Sequence, residues 1–239
     1  MPRESLTKRK QRTMKIIAAL KKLYPDAKCS LEFGSPLELL VATILSAQCT
    51  DERVNIVTKD LFAKYRTAKD YAAADPKTFE QEILTTGFFR NKTKSILAST
   101  AQIAERFGGS VPQTMDELLT LPGVARKTAN VVLGNAFGRS EGIAVDTHVT
   151  RLSIRLKLTS AKRHRPDLIE KDLMPVVGPE DWTLVSHLLI YHGRAVCSAR
   201  KPNCDGCTIR KLCPSAGKAE QADRAAAGPA RPKRRSAGK

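Results

Sequence analysis

Leu121-Pro122-Gly123-Val124-Ala125-Arg126-Lys127-Thr128-Ala129-Asn130-Val131-Val132-Leu133-Gly134 is the stretch on which the reading of the whole chain turns. A short helical pattern over residues 115–120 stops at Pro122-Gly123, and a second begins within about five residues, at Arg126. Glycine permits the tight turn, and its missing side chain lets another backbone come close. The new helix start offers unpaired amides and the positive end of a helix dipole. Such a hairpin is either an ordinary αα-turn or a seat for an anion such as a nucleic-acid phosphate. Lys127 falls in the first turn of the second helix. The dipole, any burial, and Arg126 beside it would all disfavour an ammonium there. That is a setting for a nucleophilic amine, beside the ordinary alternative of a solvated or phosphate-contacting lysine.

Outward from the hairpin the pattern stays helical. Ser35-Pro36-Leu37-Glu38 predicts a capping box with proline at the first helical position. Leu37, Leu40, Val41, Ile44 and Leu45 then share one face of a helix running to about Gln48. Asp75-Pro76 opens a helix through Ile83 and Leu84. Ile96, Leu97, Ile103, Ala104 and Phe107 predict another, stopped by Gly108-Gly109. Val149, Leu152 and Leu156 mark one more, with Arg151 and Arg155 off its apolar face, and residues 179–192 form the last. No stretch alternates with period two between hairpin turns, so the fold class is all-α.

Composition narrows the partner. The 239 residues carry 41 basic and 24 acidic side chains, a net charge of +17. Residues 1–12 hold +4 of it and residues 218–239 hold +5, leaving about +8 on the body. A basic body points to an anionic partner, nucleic acid above all, or else to a solubilising surface. No apolar run reaches the ~18 residues of a membrane span, and no secretory signal opens the chain. From residue 216 on the composition is Ala, Gly, Pro and charge, which cannot bury a core.

Four of the six cysteines, Cys197, Cys204, Cys207 and Cys213, lie in the pattern C-x6-C-x2-C-x5-C. Clustered thiols suit a metal: tetrahedral zinc or an iron–sulfur cluster, between which spacing does not decide. Arg200, Lys201, Arg210 and Lys211 lie among them, so the loop is also a basic surface. Asp146, in Ala144-Val145-Asp146-Thr147-His148, precedes a helix and reads first as its N-cap; a chemical role would need Lys127 nearby. His148 and His192 read as packing or phosphate contacts more than as catalysts.

Together these pieces resemble the endonuclease III family of DNA glycosylases over roughly residues 14–215. The resemblance rests on Leu45-Ser46-Ala47-Gln48-Cys49-Thr50-Asp51, on residues 121–134, on Val145-Asp146-Thr147-His148, and on Tyr191-His192-Gly193-Arg194 leading into the four cysteines. It implies a two-lobed helix-hairpin-helix DNA glycosylase fold: a six-helix barrel plus a helical iron–sulfur cluster domain. The implied boundaries are a basic tail at 1–13, a barrel at 29–139 with its hairpin at about 115–137, a cluster domain from 14–28 and 140–215, and a basic tail at 216–239. The implied reaction is base-excision repair: the damaged base is flipped out, Lys127 attacks the sugar C1′, Asp146 assists, and the resulting Schiff base allows β-elimination. Oxidised pyrimidines in duplex DNA are the implied substrate, and a 4Fe–4S cluster on the four cysteines the implied cofactor. Adenine glycosylases of the superfamily typically lack the lysine. Gln48 matches the family residue that fills the gap left by the flipped base, and Phe88 its apolar wedge. Leu121, Gly123, Ala125, Arg126, Thr128, His148 and Arg194 are the further implied DNA contacts. Where the family commonly has a second hairpin glycine this chain has Ala125, which keeps the amide but adds a methyl. A monomer without membrane attachment, in the cytoplasm and acting on the chromosome, is expected. The Pro232-Lys233-Arg234-Arg235 run offers a weak nuclear address instead. The competing readings are a monofunctional glycosylase for another lesion or mismatch, and a non-enzymatic DNA-binding metal protein.

Overall fold

The computed structural model describes residues 4–217. The expected C-terminal tail falls almost wholly on residues 218–239, outside the described residues, as does the Pro232-Arg235 run. All regular structure among the described residues is helical: α1 (Leu6–Leu23), α2 (Pro36–Leu45), α3 (Asp51–Lys64), α4 (Ala68–Ala72), α5 (Pro76–Glu82), α6 (Phe89–Arg106), α7 (Met115–Leu119), α8 (Arg126–Ala136), α9 (Thr147–Arg155), α10 (Pro166–Leu173) and α11 (Trp182–Ala195).

The first correction is at the N-terminus. Residues 6–13, expected in a basic tail, form the first two turns of α1. Ser5 caps the helix by accepting from the Lys8 amide. Thr13, Ile16, Ile17 and Leu20 bury one face, at roughly 2 kcal/mol for each large apolar side chain. Arg12 is a structural donor, reaching the carbonyls of Leu156 at 2.8 Å and Leu212 at 3.3 Å. Its charge marks a tail in the sequence; its hydrogen bonds make it a brace.

The second correction is in α2. Ser35 accepts from the Glu38 amide as a capping residue should, but Glu38 reaches back to the Gly34 amide rather than to Ser35. The helix stops at Leu45, three residues short of Gln48, because the chain turns through Ser46-Ala47 and Gln48 takes a left-handed φ of 53°. α3, α4 and α10 have no counterpart in the sequence reading; each begins beside a cap or a proline. Gly108 and Gly109 end the α6 segment at φ 60° and 85°, with the Gly109 amide returning to the Ile103 carbonyl.

Two separate apolar cores organise these helices. One is built from residues between Leu31 and Leu133, including the buried rings of Tyr71 and Phe79. The other combines Ile16, Ile17 and Leu20 of α1 with residues from Ile143 to Ile209. The chain thus leaves one lobe after α1, builds the other, and returns. α8 of the first lobe packs on α11 of the second, where Gly134 faces Thr183 closely enough that a Cβ would meet its hydroxyl at 2.2 Å.

Candidate active site

A cleft with about 770 Å³ of empty space opens between the lobes. Lys127, Asn130 and Asp51 line it from the first lobe, and Asp146, His187 and Arg194 from the second. Lys127 and Asp146 are thereby brought to one cavity, although they stand on different helices and different cores.

Lys127 is exposed in the first turn of α8, and its amine has no hydrogen-bond or ion-pair partner among the described residues. The free protein therefore does not bury this side chain. Nor does Arg126 press on it as a bare cation. The Arg126 Nε donates to Glu170 at 2.8 Å, and that carboxylate raises the guanidinium pKa further. Glu170 is buried and also accepts from Asn130 Nδ2 at 2.9 Å and the Ile143 amide at 3.2 Å. Burial pushes the Cys29 thiol up; the Asp51 charge adds to this and the Lys127 ammonium opposes it, so all three share one local field.

Asp146 does cap α9: its Oδ1 accepts from the Val149 amide at 2.7 Å. The other oxygen has no hydrogen-bond partner among the described residues. Its charge is felt by two histidines, His187 of the cleft and His148 on α9. Burial lowers the His148 pKa, with Asp146 opposing and Arg151 assisting. Burial likewise lowers that of His187, whose Nε2 pairs with Asn135 Oδ1 at 2.8 Å. His192 is buried against Tyr24 and the Cys207 sulfur, so it is a packing group.

Arg194 donates to Asp51 at 2.7 Å and to Ser30 at 3.2 Å, a strap from α11 to the opposite lobe. In the hairpin, Gly123 adopts φ 77°, and a Cβ there would lie 2.5 Å from that of Ser95 on α6. Ala125 precedes α8 at φ −98° with no side-chain cap, so the first amides of α8 are open. Leu121 is 2% exposed and its side chain belongs to the core of the first lobe, so an outside contact there would come from its main chain. Thr128 is half-buried one residue beyond Lys127.

Gln48 and Phe88 are exposed, Phe88 to 61%. Both are left-handed, at φ 53° and 47°. Such conformations cost a non-glycine residue about 1–2 kcal/mol. They border a second cavity together with Thr128 and Gly123 of the hairpin.

The four cysteines line one cavity of about 450 Å³, closed by Leu152, Leu156, Val196 and Ile209. Burial pushes the Cys207 and Cys213 thiols up, and the neighbouring cysteines add to it. Among the described residues no three Cys, His or acidic groups converge as ligands of a single ion. The loop is held from α9: Arg151 donates to the Cys197 and Gly193 carbonyls, and Arg155 to the Ser198 and Ala199 carbonyls and the Cys197 sulfur. The sequence sets Arg151 and Arg155 off the apolar face without giving them this task. It also suggests no role for Glu170, Asn130 or Lys92, each of which has a partner at least 40 residues away along the chain.

Over residues 41–179 the sequence matches the HhH-GPD superfamily base excision DNA repair protein family. The chain belongs to the HhH-GPD superfamily of base excision DNA repair proteins. Within it the similarity is to endonuclease III. The endonuclease III of Synechocystis sp. is 57% identical over 88% of this chain and 95% of its own length, and that of Bacillus subtilis 48% over 80% and 86%. A solved structure described as a trapped endonuclease III–DNA covalent intermediate, an estranged-adenine complex, superposes with a TM-score of 0.82 at 44% identity, covering 87% of this chain and 97% of that one. The activity is that of a DNA glycosylase with AP lyase activity in base-excision repair. No helix among the described residues is long and apolar enough to cross a membrane.

Proposed function

We propose that this chain removes oxidised pyrimidines from duplex DNA and then nicks the abasic strand, with Lys127 as nucleophile and Asp146 as its acid–base partner. The observation that carries this is one cleft, between two lobes, lined by an unpartnered lysine amine and a half-free carboxylate. The flipped nucleotide enters that cleft and displaces its water. The Lys127 amine attacks C1′ and the bond to the base breaks. The base leaves with a proton, and the amine gives one up by way of Asp146. Opening of the sugar yields an imine between Lys127 and C1′. Loss of a C2′ proton then breaks the C3′–O bond, so the strand is cut on the 3′ side, and water releases the lysine.

DNA covering the cleft would bury Lys127, which the free protein leaves exposed. The open amides at the start of α8, beyond Gly123 and Ala125, hold a backbone phosphate. Gln48 and Phe88 enter the stack from the neighbouring loops. His148 and Arg194 extend the contact on the second lobe, and Arg126 at its edge, once their ties to Arg151, Asp51 and Glu170 are counted.

We assign a 4Fe–4S cluster to Cys197, Cys204, Cys207 and Cys213. The donor set fits: four thiols line one cavity whose walls include Leu152, Leu156, Val196 and Ile209. When bound, the cluster supplies a cross-link for a loop that has little secondary structure of its own, and no step above depends on it. The two relatives named above are bacterial, which supports action on the chromosome in the cytoplasm.

The test is borohydride trapping on a duplex with one abasic site, comparing the wild type with Lys127→Ala. A covalent protein–DNA band that vanishes in the variant is expected. A band surviving the substitution would place the amine elsewhere, and no band in either protein would remove the lyase step.

A further inference from the structure

Lys92 is 4% exposed, yet no carboxylate accompanies it among the described residues. Its Nζ donates to the Leu45 carbonyl at 2.7 Å and to the Thr86 carbonyl at 2.8 Å. An apolar side chain of equal length would fill the same space without desolvating a charge. What such a side chain could not do is hold two carbonyls at once.

The two carbonyls have a particular address. Leu45 is the last residue of α2, three before Gln48; Thr86 is two before Phe88. Gln48 and Phe88 are two of the three non-glycine residues with left-handed backbone in the described chain; the third, Lys157, simply follows α9. Left-handed conformations persist in such residues only where the surroundings over-determine them. Gln48, Phe88 and Lys92 border one cavity of about 630 Å³. We propose that Lys92 is a positioning residue: its ammonium yokes the two loops, so that Gln48 and Phe88 keep a set spacing as they enter the duplex. The proposal rests on the reading of those two residues as the ones that enter it.

The test uses the full chain and the variants Lys92→Met, Lys92→Arg and the pair Gln48→Ala/Phe88→Ala. Two kcat/KM values are measured for each protein, on a duplex with a paired oxidised pyrimidine and on a duplex with an abasic site. Fluorescence of 2-aminopurine beside the lesion reports unstacking. Lys92→Met is expected to lower the paired-to-abasic ratio about tenfold, as a misplaced positioning group does, and to weaken the fluorescence rise. In the Gln48→Ala/Phe88→Ala background the same change is expected to lower the ratio less than about twofold, since the loops then carry nothing to position. Equal loss on both substrates, or a tenfold loss that persists in that background, overturns the proposal. An unchanged ratio in Gln48→Ala/Phe88→Ala alone overturns instead the reading on which it rests. Should Lys92→Met fail to fold, Lys92→Arg carries the comparison. Its planar head is larger and the whole side chain longer, so in this buried site it displaces the two carbonyls from the spacing an ammonium sets, and a selective loss of about threefold is expected. Equal loss on both substrates again overturns the proposal.

Discussion

The Glu170 carboxylate, buried on α10, holds the Arg126 guanidinium of α8 at 2.8 Å and so ties the hairpin helix to the opposite lobe. Its partners are unequal. Arg126 is half-exposed, while Asn130 and the Ile143 amide are buried.

Truncation of the two ends should therefore differ. Glu170→Ala leaves Asn130 and the Ile143 amide without acceptors and is expected to cost about 3 kcal/mol. Arg126→Ala removes only a half-exposed partner and is expected to cost about 1 kcal/mol or less. Urea unfolding of both variants checks this, and equal costs would contradict it.

Asp146 carries a structural and a chemical task that two substitutions separate. An asparagine side chain still has an oxygen to accept from the Val149 amide but carries no charge. Asp146→Asn should therefore leave the urea midpoint within error while base excision falls about a hundredfold. Asp146→Ala should lose activity and about 1 kcal/mol of stability as well.

Gly123 and Ala125 look alike in the hairpin and should behave differently. At φ 77° a side chain is strained, and a Cβ on Gly123 would meet Ser95 Cβ, which cannot swing away because it is anchored to α6. Gly123→Ala should cost about 2 kcal/mol and weaken duplex binding in a fluorescence titration. Ala125 already sits at φ −98°, so Ala125→Gly should leave affinity and turnover nearly unchanged.

His187 gives the fold a pH dependence. Burial lowers its pKa below the ordinary 6.5, so the unfolded chain binds the proton more readily. Its contribution is full above 6.5 and is lost as pH falls below 6.5 toward the folded value. Urea midpoints should therefore drop between pH 7 and pH 5, and His187→Gln should flatten that slope.

The hairpin is legible in the sequence because its turn, its glycine and its following helix are local. The four cysteines are legible as a group for the same reason. α1 is hidden because Lys8, Arg9 and Lys10 dominate its first turns, while the feature that makes it a helix, a buried stripe against residues past Ile143, lies over a hundred residues away. The end of α2 escapes because nothing in Ser46-Ala47-Gln48 signals a left-handed residue; Gln48 is neither Gly nor Asn. Arg126 reads as a free cation because Glu170 follows it by 44 residues. Lys92 is the strongest case, with one acceptor 6 residues away and the other 47.

The second core takes α1 from one end of the chain and residues up to Ile209 from the other. On the ribosome these arrive at very different times. The lobe built from Leu31 to Leu133 can close while the chain is still being made. Ile16, Ile17 and Leu20 must meanwhile wait with their apolar face uncovered until the residues past Ile143 emerge. Birth of the enzyme is thus a two-stage affair, in which α1, made before the inner lobe, finds its partners only among helices made after it.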